Sequence, residues 1–157
     1  MADGAIDHDS LYERDILAWS IEQAALLRAR AGGNALDWDN LAEEIEDVGK
    51  SVYHGCASQV ENIIAHAYKI EFLGGEAVRH WRGEVAAFRI AIERHLTTTI
   101  RNGLEDELER SHNRALRVMA AAEQLTGPAL AAARDRRYSL EQILDPDWYP
   151  QPTLQEA

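Results

Sequence analysis

The stretch DWDNLAEEIEDVG, residues 37–49, decides the fold because it combines a helix start with a helix-spaced apolar pattern. Asp37 stands at the cap position, where its carboxylate can accept a hydrogen bond from the amide of Asn40, and the acidic residues that follow suit the positive end of the helix dipole. One apolar stripe continues beyond the stretch and is formed by Leu41, Ile45, Val48 and Val52. The stretch therefore predicts the first turns of a long amphipathic helix.

The chain before and after this stretch is predicted to be helical as well. An S-x-x-E capping box at Ser10 opens a first helix, which the glycine pair at 32–33 ends. The second helix begins near Trp38. Gly49 either kinks it or lets it continue to the glycine pair at 74–75.

Two further main helices follow. A third begins within residues 76–81, and the threonine run 97–99 with Asn-Gly at 102–103 weakens and stops it, because β-branched residues and glycine are poor helix formers. A fourth covers 104–122, and the alanine-rich residues 129–137 could add one or two turns. Since no segment alternates as a strand does, the predicted fold is all-α, a bundle of four main helices with a short C-terminal helix.

The C-terminal segment contains a second capping box, Ser139 to Gln142, which opens a short helix that Asp145-Pro146 ends. Such a short helix needs packing to persist, so its apolar residues should dock on the bundle. These residues are Leu140, Ile143, Leu144 and Trp148. The predicted layout is one helical domain with 1–9 flexible, 10–137 forming the bundle, 138–150 docked and 151–157 a flexible tail.

The first predicted helix carries two apolar stripes, whereas a surface helix needs one. One stripe is formed by Tyr12, Ile16, Trp19 and Leu26, and the other by Leu17, Ile21 and Ala24. This helix is therefore either sandwiched within the bundle or part of a dimer interface, and a homodimer is the expected assembly.

Composition and charge limit the classes of function. The 157 residues are 46% apolar, enough for a packed core, and carry a formal net charge of −11. That field repels nucleic-acid phosphates and anionic membranes, so neither is an expected partner, and the arginines at 134–137 are interpreted as a solvated helix end. With no long apolar run and no signal peptide, we expect a soluble, cytoplasmic protein.

The common sequence signatures of nucleotide-binding, zincin and hydrolase families are absent from the sequence. The single cysteine, Cys56, excludes an internal disulfide, and its place on the apolar side of the second helix beside Val60 predicts a buried structural thiol. These features favour a non-enzymatic protein and indicate no cofactor.

Histidines are the residues that could bring metal chemistry. His66 borders the apolar stripe of the second helix, and His95 lies on that of the third, so His95 should point inward. With a carboxylate such as Glu44 they could hold Zn²⁺ or Fe²⁺ inside a bundle. However, the paired Glu-x-x-His of di-iron bundles is missing, and histidines hydrogen-bonded within or beside the core are the plainer interpretation.

The acidic residues after Asn40, like the histidines, also have a purely structural interpretation. Helical geometry places Glu44 at the border of the apolar face and turns Glu43 and Glu46 toward solvent. Glu44 would then pair with a core-edge arginine, Arg82 or Arg89, and orient two helices rather than catalyse.

With these residues identified, the chain resembles the domain of unknown function 29 family of bacterial proteins. The matching residues are Tyr12, Asp15, Trp19 and QAALLR at 23–28; LD at 36–37, NLAEEIE at 40–46 and Gly49; His66, Lys69, Trp81, Arg82, Arg89 and Ile92; and LEQILDPD at 140–147. The sequence departs from the family pattern at 66–70, which is less apolar, and at Gly83. The resemblance implies an all-α fold and brings no activity.

The resemblance also singles out polar and aromatic residues from three helices. If they converge, they form a polar groove with two tryptophans as walls; otherwise they form an ion-pair network that fixes helix packing. The set is Asp15, Trp19, Glu43, Glu44, His66, Lys69, Trp81, Arg82 and Arg89.

Two functions of different classes remain open. The first is a non-enzymatic bundle that acts through protein–protein contacts, with itself as a homodimer or with another protein. The alternative is a bundle that binds a metal or small ligand in the His/Glu/Arg groove, with His66, Glu44 and His95 as the metal candidates.

Overall fold

A computed structural model describes residues 8–30 and 37–153 and confirms the all-α prediction. Eight helices occupy those ranges: α1 His8–Arg14, α2 Ile16–Ala29, α3 Trp38–Phe72, α4 Val78–Glu93, α5 Thr98–Asp106, α6 Leu108–Ala121, α7 Gly127–Asp135 and α8 Leu140–Leu144. Within the same ranges no residue forms a strand, and no helix is long and apolar enough to cross a membrane.

The first predicted helix is two helices, because Asp15 interrupts it. α1 ends at Arg14, and Asp15 leaves the helical backbone and caps α2, its Oδ1 accepting the amide of Ala18 at 3.0 Å. α1 already begins at His8, so Ser10 lies inside the helix rather than at its cap, and His8 and Asp9, which the sequence assigns to the N-terminal segment, are helical. The glycine pair at 32–33 lies outside the described residues.

α3 begins where the capping argument predicts. Asp37 accepts the amide of Asn40 at 3.3 Å, and its second oxygen accepts the Asn40 side-chain amide at 2.7 Å. The helix then continues unbroken through Gly49 and ends before Gly74 and Gly75, which adopt positive φ angles that suit glycine.

Gly49 does not end α3, and its lack of a side chain instead allows α2 to pack closely against it. A Cβ atom at this position would overlap Oγ of Ser20 and come within 3.0 Å of Cδ1 of Leu17. A residue without a side chain is therefore needed here, because α2 and α3 approach each other closely at this point.

The buried side of α3 differs from the predicted stripe at its beginning. Ala42 and Gly49 are buried, whereas Leu41 is 41% exposed and Val48 is 49% exposed. The stripe of large apolar residues identifies a helix correctly, but the small residues on the adjacent side make the close contact. Farther along α3, Cys56 is buried as predicted, and burial raises the pKa of its thiol.

The threonine run starts a helix, contrary to the prediction that it stops one. α4 ends earlier, at Glu93, and α5 begins at Thr98, where Thr97 Oγ1 accepts the amide of Ile100 at 3.3 Å. The predicted fourth helix is also divided, since α5 ends at Asp106 and α6 begins at Leu108. Threonine is a poor residue within a helix but a good one at its N-terminus.

The chain divides into two compact units. The first contains Met1–Gly55 and Thr97–Asn102, and the second contains Cys56–Leu96 and Gly103–Ala157. In the first unit α2 packs on the beginning of α3, with Leu17 and Ala24 of α2 buried. In the second unit a run of α3 is buried, including Val60, Ile63, Ile64, Ala67, Tyr68 and Ile70.

The C-terminal segment belongs to the second unit and is fixed by local and distant contacts. Ser139 and Gln142 form the predicted reciprocal capping box at the start of α8. Leu140 and Ile143 are completely buried, whereas Leu144 and Trp148 are half-buried. The chain is held as far as Thr153, whose amide and hydroxyl both donate to the carbonyl oxygen of Glu71, at 2.7 and 2.8 Å. The predicted flexible tail therefore does not begin at Gln151, and residues 154–157 lie outside the described part.

Candidate functional site

The nine residues of the predicted groove are divided between the two units. The first unit contains Asp15, Trp19, Glu43 and Glu44, and the second contains His66, Lys69, Trp81, Arg82 and Arg89. The contacts of each subset are described within its own unit, and the convergence of the full set stays a prediction.

Asp15 joins two helix starts within the first unit. Its Oδ1 caps α2, and its Oδ2 accepts the amide of Thr99 at the start of α5, at 3.1 Å. Burial alone would raise the pKa of this carboxyl group, but hydrogen bonds from Ala18, Thr99 and Thr97 outweigh it and lower the pKa. Asp15 is thus a charged structural residue, held in place by donors that favour its ionised form.

At the start of α3, Glu44 and Glu46 differ from the prediction in their exposure. Glu43 and Glu44 are both exposed. Glu46, which was predicted to face solvent, accepts a hydrogen bond of 2.7 Å from Arg28 of α2 and is half-buried. The ion pair that links two helices here is therefore Arg28–Glu46.

His66 faces a carboxylate, but one that the sequence analysis did not identify. Its Nε2 lies 2.8 Å from Oε2 of Glu84 on α4, and its Nδ1 lies 2.7 Å from the carbonyl oxygen of Asn62. His80 also approaches Glu84, at 3.5 Å. Among the residues that the structure describes, no group of three or more His, Cys, Asp or Glu side chains is placed to hold a metal ion.

The prediction that His95 points inward is wrong. α4 ends two residues earlier, at Glu93, and His95 is exposed in the turn that follows. The apolar pattern that placed His95 on the buried face assumed a longer helix than the one that forms.

Arg89 is buried, and its guanidinium holds the C-terminal segment. Nε donates to the carbonyl of Ile143 and Nη2 to that of Trp148, both at 2.8 Å. Longer contacts of 3.4 Å reach the carbonyls of Gln142 and Pro146. Because α8 ends at Leu144, two of these acceptors belong to its C-terminal end, where a cation also suits the helix dipole. The partners of Arg89 within its unit are thus backbone carbonyls, and the predicted pairing of Glu44 with Arg82 or Arg89 stays a prediction.

The ring of Tyr149 covers this arginine and extends the contact to Arg82. The guanidinium carbon of Arg89 lies 4.9 Å from the ring centroid, and that of Arg82 lies 5.1 Å from it. Burial lowers the pKa of Arg89, with Tyr149 and Asp145 acting in the opposite direction; the group nevertheless stays charged, as arginine does in proteins. In the second unit, the family-like arginines Arg82 and Arg89 therefore contact the C-terminal segment.

A second polar cluster in the same unit was missed by the sequence analysis. Glu71 is buried. Its carboxylate accepts a hydrogen bond from the hydroxyl of Tyr138 at 2.7 Å and forms an ion pair with Arg136 at 2.5 Å. Burial raises the pKa of Tyr138, and the Glu71 carboxylate raises it further. Glu71 lies 67 positions from Tyr138 in the sequence, so no local sequence pattern predicts their contact.

The neighbours of this cluster are equally well satisfied. The hydroxyl of Tyr68 donates to the carbonyl of Arg136 at 3.0 Å, and burial raises the pKa of Tyr68 to about 12. His112 accepts the amide of Tyr138 on Nε2, so its Nδ1 carries the proton that reaches the carbonyl of Leu108. A pocket of about 360 Å³ opens beside Glu71 and Trp148, but each buried polar group of the cluster already has a partner within the protein.

The first unit shows a different feature, a large apolar surface that remains exposed. Tyr12 is 53% exposed, Leu26 46%, Leu41 41% and Val48 49%. Tyr12 packs edge-to-face on Trp19 with the ring centroids 4.9 Å apart. We define the apolar face by its residues, which are Tyr12, Trp19, Leu26, Leu41, Ile45, Val48 and Val52.

The geometry of α2 and α3 puts these residues on one side of the helix pair. The helices run antiparallel, since Leu17 contacts α3 at Gly49 while Arg28, nearer the end of α2, reaches Glu46, nearer the start of α3. At about 100° per residue, Leu41, Val48 and Val52 lie on the opposite side of the contact line on α3 from Glu46. On α2, Trp19 and Leu26 lie on the side turned away from Arg28. By the same periodicity, Ile16 and Leu27 of α2, both half-buried, lie between its contact with α3 and its apolar residues Trp19 and Leu26.

Comparison with known proteins places the chain in a family. Residues 11–149, most of the chain, match the sequence profile of the Domain of unknown function DUF29, and the chain therefore belongs to this family. A crystal structure of an alpha-helical protein of unknown function from Rhodospirillum rubrum is similar, with a TM-score of 0.62 and 24% identity over 87% of this chain and 90% of that one. No curated protein matches the sequence. At that identity the structural likeness shows the fold alone.

Proposed function

We propose that this member of the DUF29 family acts through protein–protein contacts, and that the apolar face of the first unit is the contact surface. The observation that carries the proposal is the exposure of Leu26, Leu41 and Val48, which lie at helical spacing on two packed helices. Contiguous exposed apolar surface on a globular protein commonly marks an interaction site.

The apolar face can supply useful binding free energy. Full burial of a Val or Leu side chain contributes about 1.5–3 kcal/mol. Because roughly half of each side chain is already covered, a partner would gain about 1 kcal/mol from each of Leu26, Leu41 and Val48. Such residues form the centre of an interface whose polar rim contributes less.

Two kinds of partner can occupy the face. A second copy of the chain would form the homodimer that the sequence predicts, and another protein would form a heteromeric complex. The alternative function, binding of a metal or small ligand by the His/Glu/Arg groove, gains no support from the observed contacts, because Glu84 engages His66 and backbone carbonyls engage Arg89.

Site-specific photo-crosslinking in cells that make the protein tests this proposal. A photoreactive benzoylphenylalanine is placed at Val48 on the apolar face and, as a matched control, at Val118, which is 66% exposed on α6 of the second unit. We expect a protein adduct from position 48 and none from position 118. The mass of the adduct identifies the partner, and a mass of twice the chain means a second copy.

Crosslinkers at Leu26 and Leu41 extend the test to both helices. If positions 26, 41 and 48 give no more adduct than position 118, the apolar face is not a contact surface and the proposal is wrong. Circular dichroism of each purified variant verifies that the helices still form.

A further inference from the structure

We infer that the occupant of the apolar face is a cationic amphipathic helix of another protein. This inference rests on the proposed function, since it names the partner of the same surface. The argument combines the charge of the first unit, the position of that charge around the face and the length of the apolar stripe.

The first unit carries most of the net negative charge of the protein. Its 12 acidic and 5 basic side chains give a formal charge of −7, whereas the second unit has 15 acidic and 11 basic side chains and a charge of −4. A second copy of the chain would bring one unit of −7 against another. A basic partner would instead be attracted, and it would associate faster.

The charged side chains that border the α3 part of the apolar face are also negative. The cations Arg28 and Lys50 are both engaged by Glu46, on the side of α3 that is turned away from the face. By helical periodicity, the exposed carboxylates of Asp37 and Glu44 border the stripe of Leu41 and Val48. Against these stand Arg14 at the end of α1 and Arg30 at the end of α2, and the first unit as a whole keeps its formal charge of −7.

The shape of the face suits a helix. On α3 its residues run from Leu41 to Val52, which is about 16 Å at 1.5 Å per residue. α2 crosses α3 near Gly49 and contributes Trp19 and Leu26, so the surface is an elongated strip along α3 that continues onto a second helix. A partner helix of about three turns, with apolar residues at i, i+3 or i+4 and i+7, covers this strip, and Lys or Arg beside them meets Asp37 and Glu44.

Synthetic helices provide the probe. One peptide of about 18 residues, long enough to be helical, has leucines at i, i+3, i+4 and i+7 and lysines elsewhere. A second replaces the lysines with glutamates, and a third keeps the composition of the first but shuffles the leucines. Fluorescence anisotropy measures the affinity of the full-length protein for each at two salt concentrations.

We expect the leucine–lysine helix to bind at least about tenfold more tightly than either control peptide, and to bind less tightly as salt rises. Val48→Asp should weaken binding about tenfold or more, whereas the control Val118→Asp should leave it unchanged. Glu44→Gln, which keeps the shape of the side chain, should weaken binding two- to threefold at low salt, and this difference should shrink at high salt.

Three results would overturn the inference: equal affinity for the lysine and glutamate peptides, unchanged affinity in Val48→Asp, or a crosslinked adduct of exactly two copies of this chain. None of these sinks the proposed function, which depends on adduct formation at position 48. Conversely, absence of adduct at positions 26, 41 and 48 removes the proposed function, whatever the peptides do.

Discussion

The two parts of α3 have similar sequence patterns and very different surroundings. In the second unit, Val60, Ile63 and Ile64 are completely buried. In the first unit, Leu41 and Val48 follow the same helical spacing, yet each is more than 40% exposed. The difference teaches that periodicity predicts a helix and its apolar side, but that other elements decide whether this side becomes core or remains a surface.

In the second unit, two buried charged residues hold the segments that cover the core. Arg89 holds the C-terminal segment through backbone carbonyls, and Glu71 holds Tyr138 and Arg136. In the first unit the described contacts concentrate on the other side of the helix pair, at Gly49 and at the Arg28–Glu46 ion pair. The apolar face of the first unit is therefore the surface that we propose for the protein contact.

The largest contrast should appear when one residue of each part of α3 is truncated. Ile63→Ala removes a completely buried side chain, and we expect a loss of about 2–5 kcal/mol of unfolding free energy. Val48→Ala should cost less than about 1 kcal/mol in the isolated protein, because half of the side chain is already in water. Chemical denaturation measures both, and similar losses would mean that the apolar face is covered in solution.

Arg89→Ala should be the next largest effect, about 3 kcal/mol, since it leaves the buried carbonyls of Ile143 and Trp148 without a strong donor. Arg82→Ala is the matched control, because this exposed arginine contacts the same Tyr149 ring and should cost less than about 1 kcal/mol. Thermal melting of the two variants distinguishes them. If both melt alike, the guanidinium does not hold the C-terminal segment.

These two arginines also show the limit of sequence reasoning. Both are family-like residues, but their partners lie more than 50 positions away. Arg89 donates to backbone carbonyls and Arg82 contacts the Tyr149 ring, and no local pattern reveals either contact. The cap at Asp37 and the capping box at Ser139 were predicted correctly because each depends on residues three positions apart. Local chemistry was readable in the sequence, and distant contacts were not.

Some predicted helix boundaries were wrong even though the caps that set them are local. Asp15 caps α2 through the amide of Ala18, and Thr97 caps α5 through the amide of Ile100. The amide of Thr99, 84 positions from Asp15, also donates to its second oxygen, and that contact is not readable in the sequence. His95 was misplaced because α4 ends before it.

Two glycines of α3 provide the third test. Gly49→Ala should cost about 1–3 kcal/mol, because the added Cβ overlaps Ser20 and approaches Leu17, so α2 must shift. Gly55→Ala, in the same helix with open space around its Cα, should instead stabilise the protein by about 0.5–1 kcal/mol. Denaturation midpoints measure the two signs. A tolerated Gly49→Ala would show that the two helices are not in close contact there.

Asp15→Ala at neutral pH is the last of the four tests, with an expected loss of about 1–2 kcal/mol of unfolding free energy. Because folding lowers the pKa of Asp15, the stabilisation is present above the unfolded-state pKa of about 4 and is lost as the pH falls below it. The difference in unfolding free energy between wild type and variant should therefore shrink between pH 5 and about pH 3. A difference that is independent of pH would mean that the carboxylate charge contributes nothing.

Hydroxyl-radical footprinting with mass spectrometry tests the central claim most directly, because it measures the exposure of individual side chains. In the dilute isolated protein, Trp19, Leu26 and Val48 should be oxidised readily and Ile63 should be protected. In an extract of cells that make the protein, the three residues of the apolar face should become protected while Val118 is oxidised as before. Protection of Val48 in the isolated protein, or equal oxidation of it in both samples, would contradict the account.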